Sequence, residues 1–254
     1  MATSVYADLY HRLLEHKTYD SGIEVFTAII EQIPDDIEGY IYRAQLYARQ
    51  QKLKEALADI RRAIQLSPQS GYAHYVHGDI RRRMVDFKEA VVAYTRAITY
   101  GYVDAYNNRG VILIKLRKYR AAYGDFTRAI HHNPQLSRAY HNRGLVRCHL
   151  KDYKGAIRDL TIAINKDSTY RRSYVVLGCA YSAIGKEKQA RNALCFFVKK
   201  GGVLSAEIQN MLHDMGGCRE TSSQSVRGNP LSSVGERGDM PDTKPLQSFP
   251  ESSV

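Results

Sequence analysis

Tryptophan is missing from all 254 residues and phenylalanine is scarce at six, yet there are 19 tyrosines. The large rings this chain can bury therefore mostly carry a hydroxyl, which needs a partner once it leaves water. No apolar run approaches the roughly 20 residues of a membrane-spanning helix, so membrane insertion is not expected. The opening MATSVYADLYHRLLEHK lacks the basic-then-apolar order of a secretory leader. Cysteine is limited to Cys148, Cys179, Cys195 and Cys218, whose spacing matches neither a disulfide framework nor a zinc site. Without an export signal these read as free thiols in a reducing compartment. That places the protein inside the cell, in the cytoplasm, with nuclear and ciliary sites left open. Proline is rare until late: of seven, only Pro34, Pro68 and Pro134 precede residue 216. Acid is in deficit, with 26 Asp and Glu against 37 Lys and Arg, a net charge of +11.

What the chain does have is a period. DAYNNRGVILIKLRKY, from Asp104, returns as RAYHNRGLVRCHLKDY, from Arg138, 34 residues later. Taking the small residue of NRG as a marker, it recurs as Ala44, Gly78, Gly110, Gly144 and Gly178, at gaps of 34, 32, 34 and 34. Twelve residues after each marker stands Ala56, Ala90, Ala122, Ala156 or Ala190. Four further on comes a large residue: Ile60, Tyr94, Phe126, Leu160 or Leu194. Four before each marker stands a ring: Tyr40, His74, Tyr106, Tyr140 or Tyr174. The three early prolines lie ten residues before markers, where a proline ends one helix ahead of the next. Apolar residues within a copy recur three and four apart, the helical spacing. Each copy is thus expected to be two amphipathic helices, the small residues marking close crossings where extra methylenes cost about 1–3 kcal/mol. Six copies result, at 3–36, 37–70, 71–102, 103–136, 137–170 and 171–204, the first degenerate. The third is two residues short, at a point where Gly101 can end its helix in a left-handed turn.

The pattern resembles the tetratricopeptide repeat (TPR), W-x2-L-G-x2-Y…A-x3-F…P over 34 residues, with tyrosine here in place of tryptophan. The resemblance covers about residues 3–204. It implies an all-α fold: a right-handed superhelical solenoid of about six helix pairs, its groove lined by the first helix of each pair. A stack of this kind needs a cap for its last apolar face. LSAEIQNMLHDMGG supplies one at 204–215, with a stripe of Leu204, Ile208, Met211, Leu212 and Met215. The solenoid is then 1–215. Residues 216–254 are rich in serine and proline and have no period, so this tail is expected to be disordered. Its ending, Ser252-Ser253-Val254, fits the ligand of a PDZ domain, with Ser252 and Val254 as the recognised residues.

Two sets of site residues follow. Arg43, Arg109 and Arg143 immediately precede markers, and Asp59, Asp125 and Asp159 stand sixteen residues after them; copies lacking the arginine lack the aspartate. Ion pairs tying first helix to second are expected, since a guanidinium fork fits a carboxylate bidentately. The family's groove columns give the second set: Asn107, Asn108, Lys115, Arg138, His141, Asn142, Arg172, Arg83 and Arg49, with Tyr72 and Tyr75 beside them. Asparagine can hold a peptide backbone by donating and accepting at once. A polar, basic lining suits an extended segment that is acidic or ends in a free carboxylate. The carboxylate clamp with which some relatives bind chaperone tails is incomplete here, matched in part by Asn142 and Arg172. The function expected is a non-catalytic adaptor binding other proteins through peptide segments or helices. The alternative is RNA binding by the basic clusters RRRM at 81–84 and KLRKYR at 115–120. No cofactor or metal is expected: His74/His77 and His131/His132 have no nucleophile at a usable spacing. Cys148, His149, His141 and Cys179 read as packing and surface residues.

Overall fold

The computed structural model describes residues 5–16 and 18–218. Thirteen helices and no strand occur among them. They come in pairs: α1 (Val5–Glu15) with α2 (Tyr19–Gln32), α3 (Ile37–Arg49) with α4 (Leu53–Leu66), and α5 (Gly71–Arg83) with α6 (Phe87–Thr99). Next come α7 (Ala105–Lys115), α8 (Tyr119–His132), α9 (Ser137–His149) with α10 (Tyr153–Lys166), and α11 (Arg172–Ser182) with α12 (Glu187–Lys199). A final α13 spans Ala206–Asp214, shorter by a few residues than the 204–215 expected of the cap. The helices form two compact units, residues 1–118 and 119–254, which part at the turn between α7 and α8. Ser252 and Val254, and the tail from 219 onward, lie outside the described residues.

Within each unit the period has a steric cause. The large residue sixteen places after a marker lies on the second helix and presses against the marker on the first. A Cβ on Gly78 would stand 2.6 Å from the Tyr94 ring, one on Gly144 would stand 2.8 Å from Leu160, and one on Gly178 would stand 2.7 Å from Leu194. Such contacts cannot be accommodated without moving a helix. Tyr94, Leu160 and Leu194 are wholly buried, as are Ala56, Ala90, Ala156 and Ala190 from the same columns.

Helix starts follow local chemistry. The Asp36 carboxylate accepts from the Gly39 amide at 3.0 Å, the Ser70 hydroxyl from Ala73 at 3.2 Å, and Asp152 from Gly155 at 2.9 Å. The stops are less expected. The fifteenth residue of copies two to five is left-handed and is not glycine: Gln51, Val85, Arg117 and Lys151 have φ of 63°, 61°, 55° and 62°. Only Gly185, in the sixth copy, has the residue that conformation favours, at φ 71°. The turn is kept because it returns orphan amides to the first helix: Lys52 N–H reaches Tyr47 C=O at 2.9 Å and Asp86 N–H reaches Arg81 C=O at 3.0 Å. Gly101 ends α6 at φ 83°, with Tyr102 N–H bonded to Ala97 C=O at 2.9 Å.

The cysteine reading needs correcting. Cys195, on α12, is bonded to Cys218, beyond α13, with Cα atoms 5.4 Å apart. A separation of 23 residues fits no framework, so the spacing gave no hint of it. The chain just beyond α13 returns to α12, where Arg191 also donates to the Met215 carbonyl at 3.1 Å, and the bond removes the ground for expecting a reducing compartment. Cys148 and Cys179 are unbonded and buried; burial pushes both thiols up, Cys179 to about 12. Among the described residues, no helix is long and apolar enough to cross a membrane.

Candidate functional site

The arginine column has a geometry richer than a pair. Arg43 donates from Nε and Nη2 to the two Asp59 oxygens, each at 2.8 Å, joining α3 to α4. Its Nη1 also donates to the Thr27 hydroxyl at 3.0 Å, on the second helix of the preceding copy. Arg143 repeats the pattern, with both Asp159 bonds at 2.8 Å and Thr127 at 3.5 Å. One guanidinium thus fastens three helices, so this column stitches consecutive copies as well as closing one. Arg109 and Asp125 belong to different units; Arg109 donates to Thr95 at 2.9 Å, the same threonine contact, and Asp125 has Arg128 at 3.6 Å. The third copy, with His77 in place of the arginine, reverses the chemistry: the Tyr94 hydroxyl on α6 donates to Asp79 on α5 at 2.7 Å.

The first-helix face of the N-terminal unit carries a band of rings. Tyr10 and Tyr42 have centroids 5.3 Å apart, Tyr42 and Tyr72 6.5 Å, Tyr72 and Tyr102 5.5 Å, and Tyr75 and Tyr102 4.8 Å. Burial raises these phenols, Tyr42 to about 12, so all are neutral donors at physiological pH. Amides are interleaved with the rings. Gln45 donates to the Tyr72 hydroxyl at 2.9 Å, leaving its own buried carbonyl oxygen without a partner. Asn108 donates to the Tyr75 hydroxyl at 3.0 Å and lies 3.3 Å from Asp79, and Asn107 lies 3.4 Å from the Asn108 oxygen. Arg49 and Arg83 share a small cavity of about 70 Å³ with Tyr10, Gln45 and Asp79, and Arg83 donates to the Ala48 carbonyl at 3.3 Å. Lys115 is exposed at the end of α7.

In the C-terminal unit the expected residues separate. Arg138 and Arg172 are exposed and Asn142 is half-buried. His141, read from the sequence as groove lining, is 3% exposed. Its Nδ1 is 3.0 Å from the Ser173 hydroxyl and its ring meets Tyr170 edge-on at 4.8 Å, so it fixes α9 to α11 from beneath the surface. Burial, then the Arg172 charge, hold its imidazole down to about 4. Within this unit Arg172, Leu145, Val175 and Val176 border a cavity of about 380 Å³. Tyr42, Gln45, Asp79 and Tyr102 were missed from the sequence. The signal available was the excess of tyrosine, together with the sixth and ninth positions of copies two and three.

Family models of the tetratricopeptide repeat match residues 37–70 and 103–136. No curated protein matches the sequence. Among solved structures, YrrB, a TPR protein with an unusual peptide-binding site, is similar at 22% identity and a TM-score of 0.59, over 76% of this chain and 93% of its own. PilW, a type IV pilus biogenesis factor, is similar at 16% identity and a TM-score of 0.70, over 83% of this chain and all of its own. PilF of Pseudomonas aeruginosa is similar at 20% identity and 0.64, over 71% of this chain and 82% of its own. These identities speak for the fold. Paired helices with small-against-large packing at a fixed interval and the two matching copies show tetratricopeptide repeats at residues 37–70 and 103–136, in a fold similar to that of these solved structures.

Proposed function

We propose that this protein is a non-catalytic adaptor that holds an extended segment of another protein against the first-helix face. One observation carries the reading: the band from Tyr10 to Tyr102, interleaved with Gln45 and Asn108, sets neutral donors and acceptors among ring faces along consecutive first helices. Tyrosine offers large contact area with little rotamer entropy to lose, and amides pair with a backbone in either direction. The basic residues on the first helices of the N-terminal unit, Arg49, Arg83 and Lys115, favour an acidic segment over a basic one, and Arg138 and Arg172 do so within the C-terminal unit. YrrB, similar in fold, is described by its peptide-binding site.

RNA is the weaker reading. Two of the three arginines in the densest basic run are tied to acids, Arg81 to Asp86 at 3.1 Å and Arg82 to Asp79 at 3.3 Å, and Arg83 holds a backbone carbonyl. The test is affinity capture with the full chain against Asn108→Ala/Asn142→Ala. Loss of specific protein partners in the variant supports the adaptor reading. Unchanged partners move the binding surface elsewhere, and nuclease-sensitive RNA in the eluate favours the alternative. Ser252 and Val254 remain a proposal for a second contact, tested by a PDZ array with and without Val254.

A further inference from the structure

The capping segment is lightly seated on the last helix pair. Leu204, Ile208 and Leu212 are its buried apolar residues. Leu204 and Ile208 share with Val176 and Phe197 the cavity of about 380 Å³, so the segment does not fill the space it covers. At nine residues, α13 is shorter than the about 12–15 at which an isolated helix holds in water. Ser205, at its N-cap, makes no side-chain capping bond, and the hydroxyl is buried without a partner. Left-handed glycines stand on both sides, Gly201 at φ 76° before it and Gly216 and Gly217 at φ 88° and 62° after it. The segment is thus bounded by the residue that turns most freely.

Among the described residues, two bonds join its far end to α12. Arg191 donates to the Met215 carbonyl at 3.1 Å, and Cys195 is bonded to Cys218. The covalent bond closes a stretch of chain that contains all of α13. Its two sulfurs differ in access: Cys218 is exposed and Cys195 half-buried, whereas the free thiols of Cys148 and Cys179 are buried. Exposed disulfides are the ones open to exchange. Arg191 and Lys199 stand one turn either side of Cys195 on α12, and nearby cations favour a departing thiolate.

We propose that the Cys195–Cys218 bond is a redox latch on the capping segment. Oxidised, it holds α13 on the last helix pair; reduced, it lets the segment swing on its glycines and uncovers the apolar wall of Val176 and Phe197. The reductant is a dithiol. Its thiolate attacks the exposed Cys218 sulfur, the S–S bond breaks, and Cys195 leaves as a thiolate that takes up a proton. The second thiol of the reductant then displaces Cys218 from the mixed disulfide. Two electrons and two protons have passed to the protein, and the dithiol departs as a cyclic disulfide. The α9–α10 pair keeps α11 against it, so the change is confined to the end of the C-terminal unit.

The test treats the full chain with dithiothreitol under native conditions and follows it by thiol alkylation, hydrogen exchange and an apolar fluorescent dye. Cys195 and Cys218 are expected to be alkylated, with Cys148 and Cys179 reacting only in denaturant. Exchange in α12 and α13 should quicken by roughly 100-fold, from the loop entropy that the bond withholds from the opened chain, while α9 and α10 stay unchanged. Dye binding should rise on reduction and fall again on reoxidation. Cys195→Ser/Cys218→Ser should behave as the reduced chain does and ignore dithiothreitol. The proposal is overturned if the native chain resists the dithiol, or if the reduced chain keeps α13 protected and binds no more dye. It is equally overturned if Cys148 and Cys179 are alkylated alongside, since the whole unit then opens, or if the double variant still responds to the dithiol.

Discussion

Arg43 and Arg143 make the same two bonds to aspartate, but they should not be equally costly to remove. Both carboxylates are nearly buried; side-chain exposure is 10% for Asp59 and 3% for Asp159. Asp59 has no second cation in reach among the described residues. Asp159 has Arg147, whose Nη1 lies 3.3 Å from Oδ2, the oxygen that also accepts from Arg143 Nε. Removing one partner of a buried pair costs about 3–5 kcal/mol, chiefly because the other charge is stranded. Arg43→Met strands Asp59 and also loses ring contacts with Tyr40 and Tyr47, at 5.8 and 6.0 Å, so about 3 kcal/mol is expected from these somewhat solvated groups. Arg143→Met leaves Asp159 a charged neighbour and should cost about 1.5 kcal/mol, the hydrogen-bond part alone. Adding Arg147→Met then removes the reserve, and the double variant should exceed the sum of its singles by at least about 1 kcal/mol. Because repeat arrays open locally, the readout is native-state hydrogen exchange of amides in α3–α4 and α9–α10, alongside urea unfolding. If Arg143→Met costs as much as Arg43→Met while the two α9 changes simply add, the argument that a stranded carboxylate sets the cost is wrong.

Three further outcomes can be checked directly. Val85→Gly should stabilise the N-terminal unit by about 0.5–1 kcal/mol, since the left-handed strain of about 1–2 kcal/mol outweighs the added backbone entropy; a drop in melting temperature would contradict this. His77 and His141 are both held down to about 4 by burial, so the folded state binds their protons less readily than the unfolded chain. Stability is therefore complete above the unfolded value near 6.5 and is lost as pH falls toward 4, by roughly 2 kcal/mol per histidine at pH 5; His141→Asn should flatten the acid limb of the C-terminal unit. Cys195→Ser/Cys218→Ser should cost about 3 kcal/mol by the chain-entropy relation for a loop of this length, seen as faster amide exchange confined to α12 and α13.

The parts of this fold that could be read from the residues are those fixed by local shape. A marker too small to be anything but a crossing point, a large residue at its fixed offset and a proline between helices each leave a mark on one strand of text. Parts that depend on two separated stretches meeting leave none. Thr27 and Thr127 look like ordinary helix residues, and only three-dimensional proximity makes them partners of Arg43 and Arg143. Cys218 gives no sign of Cys195 because the return of the chain beyond α13 to α12 is a packing outcome. Column counting put His141 on the correct helix and misjudged its depth, since Tyr170, from the turn ahead of α11, closes over it. Left-handed Gln51, Val85, Arg117 and Lys151 were invisible because glycine, the usual signal, is absent from four turns of five.

The way each copy bridges its two helices has a consequence for rebuilding the protein. Copies two and five place the base on the first helix and the acid on the second, while copy three, through Asp79 and Tyr94, places the acid first. Cassettes cut from copies two and five are therefore interchangeable parts. A cassette of the third kind spliced into either place would leave the upstream threonine facing no guanidinium, so shuffled libraries should sort into two mating types.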